Sequence, residues 1–184
     1  MSIKKIAVIV GSLRKESLNR KMALAAKALA PASMVLHIAE IGELSHFNQD
    51  IEQTPPAPWV AFRQQIAAAD GVLFVTPEYN RSMPGVLKNA VDIGSRPYGN
   101  SAFNAKPTAI IGVSVGALGA FGAVHHLRQS LVFNNALLMS QPEAYIGNAG
   151  KLFDDKGDIV VDSTRTMVVG FMTAFDAWIT RVGA

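Results

Sequence analysis

The amino-acid sequence predicts an α/β fold, a doubly wound parallel sheet of about five strands with helices on both faces. Short apolar runs recur along the chain, and each is followed by a segment whose apolar residues have helical spacing. Hydrophobic residues make up 49% of the chain and charged residues only 17%, which favours strands covered on both faces. No linker or repeat interrupts the pattern, so residues 1–184 are expected to form one domain.

The strands are predicted from short apolar segments, of which residues 6–10 are continuously apolar and rich in β-branched residues, as is typical of a central parallel strand buried on both faces. Because helices connect these runs, right-handed crossovers are expected between them. The predicted strands are residues 6–10, 34–38, 71–75, 108–113 and 136–139.

The helices are predicted from apolar residues three and four positions apart. Ser17 is expected to cap the first helix, and Pro84 suits the first turn of the third. Three prolines predict a loop over residues 54–58, and residues 143–162 show only a turn near Gly157. The expected buried helix positions include Met22, Phe62, Ile66, Leu87, Val91, Leu127, Leu131, Val132, Met167, Phe171, Phe175 and Trp178.

The composition excludes several kinds of chemistry. The chain has no cysteine, so disulfides, thiolate zinc sites, iron–sulfur clusters and a cysteine nucleophile are excluded. Its formal charge is +3 and its 17 Lys and Arg residues are dispersed, so no nucleic-acid partner is expected. The apolar run near the N-terminus is too short to span a membrane, and a cytoplasmic protein without a membrane partner is expected.

The loop after the first strand is suited to binding a phosphate. Residues 11–20, GSLRKESLNR, place hydroxyls, an amide and an arginine where the strand turns into a helix. Free N–H groups and the helix dipole favour an anion, Ser12 and Ser17 can donate hydrogen bonds, and Arg14 adds positive charge. The alternative is an ordinary capped helix with solvated charges.

The loops after the third and fourth strands are suited to a planar ring. Residues 76–85, TPEYNRSMPG, offer an apolar face for stacking and polar groups at its edge, although Tyr79 could instead cover the core. Residues 114–122, SVGALGAFG, have glycine at every third position. These glycines either let N–H groups approach a ligand or merely permit a tight turn from strand to helix.

Taken together, the three loops resemble the NADPH-dependent FMN reductase family, particularly its bacterial quinone and chromate reductase branch. The resemblance spans nearly the whole chain, with one departure at Ser45, where the family has proline. It implies a flavodoxin-like fold, FMN as cofactor, NADPH or NADH as co-substrate, and a homodimer or homotetramer. Quinones, flavins and chromate are the implied acceptors, reduced by hydride transfer through FMN. The matching segments are residues 11–20, 47–50, 76–92, 116–122 and 143–146.

The resemblance also implies which residues form the site. Tyr79, Ser82 and Arg96 are expected near the substrate. The sequence leaves the preference for NADH or NADPH open, since the contact to the 2′-phosphate could be made by Arg81, Lys88, Arg96 or no residue of the chain. The residues expected to hold FMN are Ser12, Arg14, Ser17, Leu18, Asn19, Pro77, Glu78, Tyr79, Asn80, Ser114, Gly116 and Gly119.

Some of these residues have simpler interpretations. Glu78 invites a catalytic role, but loop carboxylates usually cap backbone N–H groups. Arg96 could be a solvated surface residue. Neighbouring His125 and His126 point in different directions on a helix and lack a third ligand, so no metal site is expected. A flavodoxin-type electron carrier is the alternative function, against which the slightly basic charge and the long loop around Tyr79 argue.

Overall fold

Six parallel strands and five α-helices make up the fold over residues 3–183. The computed structural model describes residues 3–183, so Met1, Ser2 and Ala184 of the predicted domain lie outside the described residues. The strands are β1 Lys4–Val10, β2 Met34–Ile38, β3 Gly71–Thr76, β4 Pro107–Val113, β5 Leu137–Leu138 and β6 Ala144–Ile146. The helices are α1 Leu18–Leu29, α2 Ala57–Ala67, α3 Gly85–Gly94, α4 Phe121–Phe133 and α5 Asp162–Val182.

The sheet has the order β2-β1-β3-β4-β5, with β6 also paired to β4, and both of its faces are covered. Helices α1 and α5 cover one face, against Val8 and Leu73 among others. Helices α2, α3 and α4 cover the other, against Ile9 and Phe74. The predicted doubly wound fold is therefore confirmed. Within residues 3–183, no helix is both long and apolar enough to cross a membrane.

The fifth position of the sheet is split between two short strands. Strand β5 pairs with the beginning of β4, at Pro107 and Thr108, and β6 pairs with its end, at Ile111 to Val113. The prediction of one strand over residues 136–139 was therefore wrong in extent, and β6 was not predicted. Pro142, between the two strands, has no N–H group to donate to the ladder.

Three helix predictions need comment. Ala57 and Pro58 were predicted as loop but lie in the first turn of α2, where proline is tolerated because its missing N–H would have no partner. Val132 was predicted to be buried, yet it is 66% exposed, while Leu131 beside it is fully buried. The core interpretation of α5 is confirmed, since Phe171 and Phe175 are buried and the partly buried Met167 and Trp178 pack against the same core.

The strand order brings three loops together. The chain runs from β1 outward to β2 and then returns to the other side of β1 to form β3, so the switch in strand order lies between β1 and β3. Because β1, β3 and β4 are parallel neighbours, the loops that follow them lie at the same edge of the sheet. We call these loops 1 (residues 11–17), 2 (residues 77–84) and 3 (residues 114–120).

Candidate active site

Loop 1 begins tightly packed and ends in a helix cap. The N–H of Gly11 donates to the Val75 carbonyl at 2.8 Å, and a Cβ at Gly11 would lie 3.0 Å from Thr76 Oγ1. Ser17 Oγ accepts from the N–H of Arg20 at 3.1 Å, so the predicted cap of α1 is confirmed. Such a cap contributes about 1 kcal/mol to stability. Ser17 Oγ accepts this capping hydrogen bond, and its hydroxyl proton remains available to donate to a ligand.

Loop 1 has polar groups without partners. Among the described residues, nothing accepts a hydrogen bond from the N–H groups of residues 12–19. Asn19 is only 5% exposed, and its Nδ2 donates to the Val113 carbonyl at 3.4 Å. Its Oδ1 is buried without a hydrogen-bond partner in the described part of the chain. A buried acceptor of this kind is costly unless a ligand donates a hydrogen bond to it. The free N–H groups at the start of α1, in contrast, are suited to binding an anion.

Loop 2 is a tight hairpin. Tyr79 and Ser82 exchange backbone hydrogen bonds of 2.9 and 3.0 Å. Between them Asn80 and Arg81 have φ of 50° and 64°, the left-handed conformations of a type I′ turn. Tyr79 is 50% exposed, so the alternative that it only covers the core is wrong. The hairpin therefore presents an aromatic face beside the end of β3.

Glu78 connects loop 2 to the start of α4. Its side chain is only 13% exposed, and Oε2 accepts from the N–H of Ala123 at 3.1 Å. This contact agrees with the capping interpretation of Glu78. A carboxylate at a helix N-terminus is also stabilised by the helix dipole. Loops 2 and 3 are thus fixed next to each other.

The two glycines of loop 3 that were predicted to contact FMN, Gly116 and Gly119, differ in whether the backbone requires glycine. Gly119 has φ of 58°, and a Cβ there would lie 2.6 Å from the backbone nitrogen of Ile146, so the tight-turn interpretation holds at this position. Gly116 has room for a Cβ, since Ser114 Oγ would be 3.6 Å away. Its N–H already donates to that oxygen at 3.1 Å. The exposed free donors in the described structure instead include the N–H groups of Ala117 and Leu118, which the sequence did not single out.

Arg96 lies apart from the three loops. Its guanidinium is 5.1 Å from the ring centroid of Phe47, which stacks on Trp59. It borders an open cavity of about 730 Å³ between α3 and α4.

Ser45, which stands where the family has proline, has a local role. Trp59 Nε1 donates to Ser45 Oγ at 3.1 Å, and proline has no hydroxyl to accept this hydrogen bond.

The two histidines of α4 have separate partners. His126 Nδ1 is 2.9 Å from Ser82 Oγ, a contact to loop 2 that the sequence did not indicate. His125 Nε2 is 3.1 Å from the hydroxyl of Tyr145, which donates to Glu143 Oε1 at 2.8 Å. Burial and then this carboxylate raise the pKa of Tyr145 to about 12. Within residues 3–183, no three His, Asp or Glu side chains are grouped to hold a metal ion.

Comparison with known proteins identifies the family. The family described as NADPH-dependent FMN reductase matches residues 4–151. The chain belongs to this family. FerB, a flavoenzyme NAD(P)H:(acceptor) oxidoreductase from Paracoccus denitrificans, superimposes with a TM-score of 0.93 at 40% identity, covering 99% of this chain and 100% of that one. The fold is accordingly flavodoxin-like, FMN is the cofactor, and NAD(P)H is the co-substrate.

Two curated relatives of this FMN reductase are named for their acceptors. A quinone reductase from Pseudomonas putida is 56% identical over 175 residues, covering 95% of this chain and 94% of the relative. A 2-hydroxy-1,4-benzoquinone reductase from a Burkholderia species is 49% identical over 175 residues, covering 95% and 96%.

The loops of this FMN reductase have the donor set that FMN requires. Loop 1 offers free N–H groups, the Ser17 hydroxyl proton and the exposed Arg14 for a phosphate. Asn19 Oδ1 is an acceptor, so it suits a hydroxyl of the ribityl chain better than the phosphate itself. Loop 3 offers N–H groups for the polar edge of a flavin ring. Bound FMN supplies the hydride chemistry, while the protein supplies position and electrostatics.

Proposed function

We propose that this FMN reductase passes electrons from NAD(P)H to a quinone. Two curated relatives at 49% and 56% identity carry quinone substrates in their names, which supports this acceptor class. Flavins and chromate are further acceptors of the same site in this proposal, with a quinone as the native one.

Exposed apolar side chains on loops 2 and 3, and at Phe121 where α4 begins, favour a quinone as the acceptor. Tyr79 and Phe121 are each 50% exposed, Leu118 is 60% exposed and Val115 is 69% exposed. The Glu78 contact to α4 holds these two loops together. A planar apolar acceptor removes such surface from water, at about 25 cal/mol per Å². A hydrated dianion such as chromate gains nothing from this surface.

Each loop has a distinct role in this proposal. Loop 1 binds the FMN phosphate through its N–H groups, Ser12, Arg14 and Ser17, with Leu18 and Asn19 in the first turn of α1. In loop 2, residues 77–80 line the flavin ring, and Tyr79 and Ser82 border the acceptor. Loop 3 holds the other side through Ser114, Gly116 and Gly119.

A second copy of the chain is the proposed partner. Tyr98 and Phe133 line the cavity between α3 and α4 and are 82% and 80% exposed, and Val132, next to Phe133 in α4, is 66% exposed. Exposed apolar residues in one area mark association surfaces more often than free surface. A homodimer, or a tetramer made of two such dimers, would bury them. Arg96, which lines the same cavity, would then lie near the partner subunit.

Anaerobic absorbance spectroscopy tests the proposed function. The purified protein is mixed with FMN, then with NADPH, and finally with a water-soluble benzoquinone. We expect the flavin bands to bleach with NADPH and to return with the quinone. The alternative, a flavodoxin-type carrier, would bind FMN yet support no sustained NADPH oxidation by the isolated protein. Failure to bind FMN would refute both functions.

A further inference from the structure

The sequence leaves the 2′-phosphate contact open among Arg81, Lys88, Arg96 or no residue, and within one chain Lys88 and Arg96 have other partners. Lys88 Nζ lies 2.7 and 2.8 Å from the two carboxylate oxygens of Asp92, one turn further along α3. Arg96 lies over Phe47, at the far end of α3. That helix has ten residues, so its ends are about 15 Å apart and Arg96 is well removed from loop 2 of its own chain.

Arg81 remains available at the site. Its side chain is 79% exposed and, within residues 3–183, makes a single long polar contact, 3.5 Å from Nη1 to Glu78 Oε1. A guanidinium has five N–H donors, so most of them remain for a ligand. A Cβ at Gly122 would lie 2.8 Å from the Arg81 carbonyl oxygen, which places Arg81 where loop 2 meets the start of α4.

The backbone of Arg81 is unfavourable for arginine. Its φ of 64° is left-handed, in the second central position of a type I′ turn, where glycine is strongly preferred. Asn80 before it tolerates this conformation, whereas a long side chain does not adopt it readily. The hydrogen bonds between Tyr79 and Ser82 hold Arg81 in this strained conformation. Strain of this kind is concentrated at functional positions.

We propose that Arg81 binds a phosphate of the nicotinamide nucleotide and so determines nucleotide affinity. The proposal rests on the NAD(P)H-dependent reaction above. The planar guanidinium fork matches a phosphate with two parallel hydrogen bonds, which the compact ammonium of lysine cannot reproduce. The charged group facing Arg81 is the Glu78 carboxylate, whose other oxygen is bound to Ala123. A phosphate therefore competes with only one long ion pair.

The test compares Arg81→Gly and Arg81→Lys with Arg165→Gln in the FMN-loaded enzyme. Arg165 is an exposed arginine near the beginning of α5, on the other face of the sheet, so it controls for loss of charge. We expect Arg81→Gly to raise the nucleotide KM about tenfold while the Tm stays equal or rises, because glycine removes the strain. Arg81→Lys should be intermediate, and Arg165→Gln should behave as wild type.

The pattern of KM values identifies the phosphate. A rise for NADPH alone assigns Arg81 to the 2′-phosphate, and an equal rise for NADPH and NADH assigns it to the pyrophosphate. Unchanged KM values for both nucleotides in Arg81→Gly would overturn the proposal. Isothermal titration calorimetry measures the binding of NADP⁺ and of 2′,5′-ADP without turnover. It therefore tests the role of Arg81 independently of the quinone reductase activity. If wild type binds NADP⁺ but reduces no quinone, the proposed function fails while the role of Arg81 is still decided by the variants.

Discussion

Gly119 is the position where a single methyl group should harm this enzyme most clearly. Its φ is 58°, and a Cβ there would meet the backbone of Tyr145 and lie 2.6 Å from the Ile146 nitrogen. Both neighbours belong to β6, which is hydrogen-bonded to β4. Backbone in a paired strand cannot rotate away as a side chain can, so loop 3 and β6 must separate.

Two energetic costs determine how much free energy of unfolding Gly119→Ala should lose. The left-handed conformation costs an L-residue about 1–2 kcal/mol, and forcing an extra methyl into close-packed surroundings costs about 1–3 kcal/mol. We expect a loss of about 3 kcal/mol in the free energy of unfolding. With a urea slope of about 2 kcal/mol per M, the unfolding midpoint should fall by about 1.5 M.

Gly116→Ala in the same loop is the matched control. A Cβ there has ordinary contact with Ser114 Oγ at 3.6 Å, so the unfolding midpoint should stay near that of wild type. Urea unfolding of both variants without FMN, followed by far-ultraviolet circular dichroism, measures stability separately from cofactor affinity. Equal midpoints for the two variants would refute the reasoning, because only Gly119 combines left-handed backbone with an overlapping strand.

Two other predictions concern polar contacts of α4 and β6. Glu78→Ala should lower the free energy of unfolding by about 1 kcal/mol, because the N–H of Ala123 at the start of α4 loses its acceptor. Glu78→Gln keeps an oxygen acceptor, so it should lower the free energy of unfolding less. Equal losses for the two variants in thermal unfolding would contradict the capping role. Tyr145 should ionise near pH 12, as measured by the difference in phenolate absorbance between wild type and Tyr145→Phe. Because this pKa is raised in the folded state, the stabilisation from Tyr145 is complete below its ordinary value of about 10 and is lost as the pH rises through 12. Ionisation near pH 10 would mean that neither burial nor Glu143 acts on the phenol.

The sequence by itself determined the fold class, four of the strands and the position of the three loops. Strands β1, β2, β3 and β4 are short, mostly apolar segments, and the Ser17 cap involves residues three positions apart, so neighbouring residues carry these signals. The family resemblance also rests on contiguous segments, and the match over residues 4–151 confirms it. The roles of single site residues stay predictions.

Only the tertiary structure decided how the loops are used. Glu78 caps Ala123 from 45 positions away, and Asn19 reaches Val113 across 94. The split into β5 and β6 likewise depends on pairing with β4, and the need for glycine at position 119 depends on the backbone of β6. Local patterns report helical or strand periodicity, but these contacts join residues that approach each other only when the sheet and its helices pack.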